Sequence, residues 1–316
     1  MPETVLSNSD LEKIVDTSDD WITTRTGIKE RRILDKGIGT SYMAIKAANS
    51  IIEKKQINPL DIDLVIVATI TPDMHATATA AFVASEIGAS NAFGYDINAA
   101  CSGFLYGMST ASAFIESGRY NKVLLIGADK MSSIVDYQDR NTCIIFGDGA
   151  GAVLLEPNTN GLGVQDEYLR SDGSNRDLLR IEAGGSINPT TNETVMSKKH
   201  FIYQDGKNVF KHAVSNMSNA ADQIMIRNGL TKSDVSFLVA HQANKRIIDA
   251  TSNRMGIEDD KVLMNISRYG NTTAATIPLL LSDYESKFKK GDNIIFASFG
   301  AGFTWGAMFL KWAYNQ

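Results

Sequence analysis

Asp61-Ile62-Asp63-Leu64-Val65-Ile66-Val67-Ala68 is an acidic start followed by an unbroken, largely β-branched apolar run. A run of this length and composition predicts a strand buried on both faces, as in an α/β sheet. A helical pattern at 40–55 (Tyr42, Ile45, Ala48, Ile51, Ile52) leads into it through Asn58-Pro59. The series then returns: 209–228 (Val209, Ala213, Met217, Ala220, Ile224) passes through Gly229 into Asp234-Val-Ser-Phe-Leu-Val-Ala-His241, opening aspartate included.

Three more segments repeat in order. Gly94–Asn98 corresponds to Val262–Ile266, Lys122–Gly127 to Asn293–Ala297, and Gly151–Leu155 to Gly306–Leu310. Four ordered matches predict an internal duplication, with halves at 1–157 and 158–316 packed about a pseudo-dyad. α/β sheets carry ligands beyond the C-terminal ends of their strands, so Cys101, His241 and Asn271, which all follow strands, are placed to converge. One element has no counterpart. The second half opens with a strand near Leu162–Leu169, whereas nothing strand-like precedes Asp10, so the first half is expected to lack its opening strand.

Composition narrows the function classes. With 316 residues and 43% hydrophobic content, the chain can bury a large core. Its two cysteines exclude a disulfide framework. No apolar run approaches a membrane span, and the N-terminus lacks signal-peptide character, so a cytoplasmic protein is expected. A net charge of -5 with interspersed signs argues against nucleic acid as a partner, while leaving room for a local basic patch.

The chemistry concentrates in four places. In Ala99-Ala100-Cys101-Ser102-Gly103-Phe104 a thiol stands where a strand gives way to an Ala/Ser/Gly-rich helix at 102–117. A helix start there would lower the thiol pKa and make Cys101 a nucleophile; a buried structural cysteine is the alternative. His241, one of four histidines, opens His241-Gln242-Ala243-Asn244, and it fits a core histidine as well as a catalytic one. Asn271 lies in Tyr269-Gly270-Asn271-Thr272-Thr273-Ala274, either a plain turn or a site loop. Phe299-Gly300-Ala301-Gly302-Phe303 offers either a tight turn or backbone N–H groups for an oxyanion. Phe146-Gly147-Asp148-Gly149-Ala150-Gly151 lacks the lysine and following helix of a phosphate loop, and we exclude that role.

Cys101 in Ala-Ala-Cys-Ser-Gly-Phe, His241 in His-Gln-Ala-Asn and Asn271 in Gly-Asn-Thr-Thr-Ala-Ala together resemble the Cys-His-Asn triad of the β-ketoacyl-acyl-carrier-protein synthase III family. The resemblance extends from Asp10 to Trp312 and includes Asp16–Gly27, Gly147–Ala152 and Phe303-Thr-Trp-Gly306. It implies the thiolase-like fold, two pseudo-dyad-related halves in five α-β-α-β-α layers. It also implies condensation of an acyl-coenzyme A with malonyl-acyl carrier protein (malonyl-ACP), to give 3-oxoacyl-ACP, coenzyme A and carbon dioxide. A homodimer is implied, with no metal and no cofactor.

The same resemblance assigns further residues. Cys101 and Ala301 would supply oxyanion N–H groups, and Trp21, Arg25, Thr26, Arg140, Gly206 and Asn244 would line the coenzyme A cleft, with adenine between Trp21 and Arg140. Lys207 stands where the family often has asparagine. Phe210, Ala243 and Phe299 would line the substrate pocket, and Lys211 and Arg246 would receive the acidic carrier protein. Trp21 also reads as a packed surface aromatic, and Lys211 and Arg246 as solvated charge. A floor supplied by the partner's Ala76-Thr77-Ala78 loop implies room for more than acetyl. Family members carry a strand ahead of the segment matching Met1-Pro2-Glu3, in agreement with the repeat. The segment 190–205 is longer than in the shortest members and either shapes the acyl entrance or is plain surface. A related acyltransferase or ketosynthase of a polyketide-type pathway, and a silent carrier-protein-binding subunit, are the alternative functions.

Overall fold

The computed structural model describes residues 1–315. A short antiparallel ribbon of β1 (Val5–Ser7) and β2 (Glu30–Arg32) frames α1 (Asn8–Leu11) and α2 (Asp19–Thr26). The first half continues with α3 (Thr40–Lys55), β3 (Leu64–Ala68), α4 (Thr79–Glu86), β4 (Phe93–Ile97), α5 (Gly103–Glu116), β5 (Val123–Lys130) and β6 (Asp148–Leu155). The second comprises β7 (Gly163–Ser171), β8 (Leu179–Ile181), α6 (Asn192–Met196), β9 (Ile202–Gln204), α7 (Gly206–Arg227), β10 (Phe237–Ala240) and α8 (Lys245–Met255). It closes with α9 (Ile266–Tyr269), α10 (Thr276–Tyr284), β11 (Asn293–Gly300) and β12 (Thr304–Lys311). Helix boundaries follow their caps: Ser18 accepts from the Trp21 amide at the start of α2, and Gly27 ends it in the left-handed region.

Two four-stranded sheets result, in the orders β4-β3-β5-β6 and β10-β11-β12-β7. Their central strands are buried on both faces, with side chains assigned by alternation. Leu64, Ile66, Val123 and Leu125 face one core together with Ile294, Phe296, Met308 and Leu310 of the second sheet. Phe104, Leu105 and Met108 of α5 and Ile277, Leu280 and Leu281 of α10 fill that same core. Val65, Val67, Leu124 and Ile126 face the opposite way, onto α3 and α4. Leu238, Ile295, Ala297 and Phe309 pack on α7 and α8. The layers are therefore α3/α4, first sheet, α5/α10, second sheet, α7/α8: the five-layered thiolase-like arrangement.

The duplication is visible in the pairings, with three departures. β3 pairs in parallel with β4 and β5, and β5 antiparallel with β6, just as β10 pairs in parallel with β11, and β11 antiparallel with β12. β12 has a further neighbour, β7, whereas among the described residues no strand lies beyond β6. Contrary to expectation, a strand does precede Asp10, but β1 pairs only with β2. The strand expected at 262–266 is also absent; a single bridge joins Leu238 to Val262. The Gln242 side chain takes over from there: its Oε1 accepts from the amides of Asn265 and Ile266 at 3.1 and 3.2 Å, satisfying groups that strand pairing would otherwise serve.

The two middle-layer helices are entered alike. Ala100–Ser102 and Thr273–Ala275 are single 3-10 turns leading into α5 and α10. Each opens on a non-glycine residue of positive φ, Ala100 at 47° and Thr273 at 51°. Such conformations persist only where surroundings enforce them, and they often mark functional sites.

Candidate active site

A cavity of about 760 Å³ is lined by residues of both halves. Cys101, His241 and Asn271 all line it, as do Ala301, Trp21, Arg25, Thr26, Gly206, Asn244, Phe210, Ala243, Phe299 and Arg246. The three residues thus converge, although only Cys101 and His241 follow strands: Asn271 comes after α9.

Cys101 sits in the 3-10 turn ahead of α5, clamped to the β11–β12 hairpin of the other half. The Ser298 hydroxyl donates to the Cys101 carbonyl at 2.8 Å, that of Thr304 to the Ala99 carbonyl at 2.8 Å, and that of Ser102 to the Thr304 carbonyl at 3.0 Å. Burial pushes the Cys101 thiol up to about 12, with the charge of Asp129 adding to the rise. This corrects the expectation of a helix-lowered pKa. Burial strips the thiolate of the water that would solvate it, and this raises the pKa.

His241 continues β10, its amide donating to the Ala297 carbonyl at 2.8 Å. It is 2% exposed, and burial holds its imidazole down at about 3, so the ring is neutral. Nδ1 meets the Thr276 hydroxyl at 2.7 Å, while the buried Nε2 has no partner among the described residues. Thr276 can also donate to the Thr273 carbonyl, 3.0 Å away. With one hydroxyl proton and two acceptors in reach, Thr276 supports either tautomer of the ring.

Asn271 is fixed through its backbone, which pairs with 145–147: its amide donates to the Ile145 carbonyl at 2.9 Å and its carbonyl accepts from the Gly147 amide at 3.0 Å. Its Oδ1 accepts from the Thr273 amide at 2.8 Å, so the side-chain NH₂ is the end left for a ligand. The glycines of the 147–151 run have a packing reason: a Cβ on Gly147 would stand 2.5 Å from the Tyr269 carbonyl oxygen, and one on Gly151 2.9 Å from the Leu279 amide nitrogen.

At the mouth, Trp21 and Arg25 line the cavity and Arg140 does not, but the guanidinium groups of Arg25 and Arg140 lie 4.6 and 4.7 Å from the Trp21 ring centroid. Arg140, also 3.5 Å from the Asp16 carboxylate, thus rests directly on the indole. The expected sandwich is closed, and an adenine ring enters it only by displacing Arg140. The Thr26 hydroxyl donates to the Ile22 carbonyl and Asn244 caps α8, so both anchor helix ends as well as lining the cavity. Arg246 is exposed and stacks over Phe210 at 4.7 Å. Lys211 is exposed on α7 outside the cavity lining. Of the 190–205 segment, Ile202–Gln204 pairs with Leu179–Ile181, and 202–205 line the cavity. Ala76-Thr77-Ala78 lies largely exposed and takes no part in lining it.

Several lining residues were not singled out from sequence: Ile70, Met131, Ile144, Phe146, Val209 and Met217. The last two belong to the apolar stripe of α7, where periodicity announces burial without saying whether a residue meets core or ligand.

Comparison with known proteins agrees with this arrangement. Residues 95–173 match the family model of 3-oxoacyl-[acyl-carrier-protein] synthase III, and residues 225–312 match the model of its C-terminal part. The chain is 55% identical to beta-ketoacyl-[acyl-carrier-protein] synthase III 2 of Bacteroides thetaiotaomicron, covering 100% of this chain and 94% of that protein. It is 56% identical to beta-ketoacyl-[acyl-carrier-protein] synthase III of Chlorobaculum tepidum, over 99% and 96%. The crystal structure of 3-oxoacyl-[acyl-carrier-protein] synthase III from Aquifex aeolicus superposes with a TM-score of 0.90 at 41% identity, covering 99% of this chain and 97% of that one. With both family models matched and relatives of this identity spanning its full length, the chain belongs to the 3-oxoacyl-[acyl-carrier-protein] synthase III family.

Proposed function

We propose that this chain is an initiating condensing enzyme of fatty acid synthesis, joining an acyl-coenzyme A to malonyl-ACP through an acyl-Cys101 intermediate. The observation that carries the reading is the convergence of a buried thiol, a neutral imidazole with an unpartnered Nε2, and a carboxamide whose NH₂ is free, all on one cavity. A pseudo-dyad of two domains, 1–157 and 158–316, brings them together.

In the first half-reaction Cys101 Sγ attacks the acyl-coenzyme A carbonyl, and the N–H groups of Cys101 and Ala301 stabilise the oxyanion. A thiol pushed up to about 12 enters protonated. With Thr276 donating to Thr273, His241 Nε2 is a bare acceptor that hydrogen-bonds the thiol proton without holding a full charge, and the proton passes to the sulfur of departing coenzyme A as Sγ attacks. In the second half-reaction malonyl-ACP loses carbon dioxide, and charge builds on its thioester oxygen. Asn271 Nδ2 donates to it, and so does His241 Nε2–H when Thr276 donates to Nδ1. The carbanion attacks acyl-Cys101, releasing 3-oxoacyl-ACP and the thiolate, which takes up a proton from solvent to restore the thiol.

Trp21, Arg25, Arg140, Gly206 and Asn244 receive coenzyme A, Phe210, Ala243 and Phe299 the acyl chain, and Lys211 and Arg246 the acidic carrier protein. A cytoplasmic homodimer without metal or cofactor completes the reading; no helix among the described residues is long and apolar enough to cross a membrane. The deciding experiment is mass analysis of Cys101 after incubation with a series of acyl-coenzyme A thioesters, followed by malonyl-ACP. An acyl adduct on Cys101 that malonyl-ACP converts to 3-oxoacyl-ACP is expected. Condensation persisting in a Cys101→Ala protein would overturn the assignment.

A further inference from the structure

Asp129, at the C-terminal end of β5, is a fully buried carboxylate that belongs to none of the roles above. Its Oδ1 accepts from the Ile70 and Thr71 amides at 2.8 and 3.2 Å, and from the Thr69 and Thr71 hydroxyls at 3.0 Å each. Its Oδ2 accepts from the Thr273 hydroxyl and, at 3.3 Å, from the Ala274 amide. These donors come from both halves of the chain, and none is a cation. A buried carboxylate is costly even when hydrogen-bonded, and a well-packed apolar side chain is the more stable filling, so the charge calls for a reason beyond stability.

The reason lies in what the 273–276 turn holds. The Thr273 amide fixes the Asn271 carboxamide, and Thr276, itself within reach of the Thr273 carbonyl, fixes the His241 ring. Thr273 does this at φ 51°, a conformation that disfavours β-branched residues. Asp129 grips its hydroxyl and the next amide. We propose that Asp129 is a positioning residue for the decarboxylating half-reaction, holding from the opposite half of the chain the turn that aims Asn271 and His241. The inference rests on the roles assigned above to those two side chains.

Asp129 bears on Cys101 in the opposite sense. Burial raises the Asp129 pKa against the pull of its donors, and the carboxylate, when ionised, helps hold the thiol protonated, while His241, the other titratable group of the triad, stays neutral. Loosening the turn costs acyl transfer only the His241 acceptor but costs decarboxylation both His241 and Asn271, while loss of the carboxylate eases thiolate formation, so decarboxylation suffers the larger loss.

The test uses Asp129→Asn and Thr273→Val in the full-length protein. Acyl transfer is read as Cys101 labelling by acetyl-coenzyme A alone, and decarboxylation as carbon dioxide release from malonyl-ACP alone. Iodoacetamide alkylation of Cys101 at pH 7 reports on the thiol. The ratio of decarboxylation to acyl transfer is expected to fall about ten-fold or more in both variants. In Asp129→Asn, alkylation is expected to hold or rise. Equal losses in both partial reactions, as a purely structural role demands, would overturn the proposal, as would an unchanged ratio. If Asp129→Asn does not fold, Thr273→Val decides alone. Failure of the unaltered protein to condense acyl-coenzyme A with malonyl-ACP is a distinct result, which sinks the functional reading itself.

Discussion

Gly300 of the second half lies so close to Cys101 of the first that a methyl group built on it would stand 2.6 Å from the Cys101 backbone nitrogen. That nitrogen is an assigned oxyanion donor, and the neighbouring Ala301 carries the other. Gly300→Ala must therefore part the hairpin from the nucleophile turn. A displacement near 1 Å at reacting atoms costs on the order of a hundred-fold in rate, and overpacking costs about 1–3 kcal/mol. The expected outcome is Cys101 labelling slowed by about that factor, with a folded protein of lower melting temperature. Labelling at the original rate would mean that the contact does not set the donor geometry.

The buried imidazole makes a prediction about acid. An unfolded histidine takes up a proton below its ordinary 6.5, whereas folded His241 resists until about 3. The unfolded state thus binds more protons in between, and the stability His241 contributes is lost as pH falls through that window. Melting temperatures of the unaltered protein should drop more steeply from pH 6.5 towards 3 than those of His241→Gln. Malonyl-ACP decarboxylation should show no break near 6.5, and one there would mean that the ring is solvated.

Thr276 holds the ring in either tautomer, so its hydroxyl matters to both half-reactions. Thr276→Val removes the hydrogen bond at nearly constant volume and leaves Nδ1 unsatisfied, at a cost of about 1–3 kcal/mol. Both acyl transfer and decarboxylation should fall, and Thr276→Ser should restore them. If serine fails where threonine works, packing of the methyl group is what matters.

At the mouth, Arg246 stands exposed over Phe210. Reversing its charge with Arg246→Glu should raise the KM for malonyl-ACP more than that for acyl-coenzyme A, and the difference should shrink in high salt. Equal effects on both substrates would remove Arg246 from the carrier-protein surface. Trp21→Ala should show the converse pattern, since its indole carries both Arg25 and Arg140.

The sheets were legible because their strands are runs with one meaning: Leu64–Ala68 and Ile294–Ala297 are buried on both faces and have no other use for β-branched and apolar side chains. Cys101 and His241 were legible as candidates from their places after strands, Asn271 only from a strand that the structure replaces with α9, and the three as a triad through family likeness. What stayed hidden depends on partners distant in sequence. Gln242 replaces a strand by bonding to residues 265 and 266, and Asp129 reaches Thr273 across 144 positions, with no local pattern to announce either. The direction of the Cys101 shift was misread for the same reason. A helix start is visible in a hexapeptide, whereas the burial that overrides it is a property of the assembled halves.

The middle layer of α5 and α10 has a consequence for how the molecule comes into being. The two sheets turn apolar faces towards one core that these two helices fill, with Leu263, Phe288 and Trp312 at its edge, and each helix belongs to a different half of the chain. Neither repeat unit alone can shield its inner surface, so a polypeptide cut between the two emerges as a pair of sticky fragments rather than two small proteins. During synthesis α5 can cover Leu64, Ile66 and Leu125 at once, but β6, whose Gly149 and Gly151 abut Leu279 and Pro278, stays unprotected until α10 has been made. Whatever keeps that surface from aggregating in the interval is as necessary to the enzyme as any side chain in its cavity.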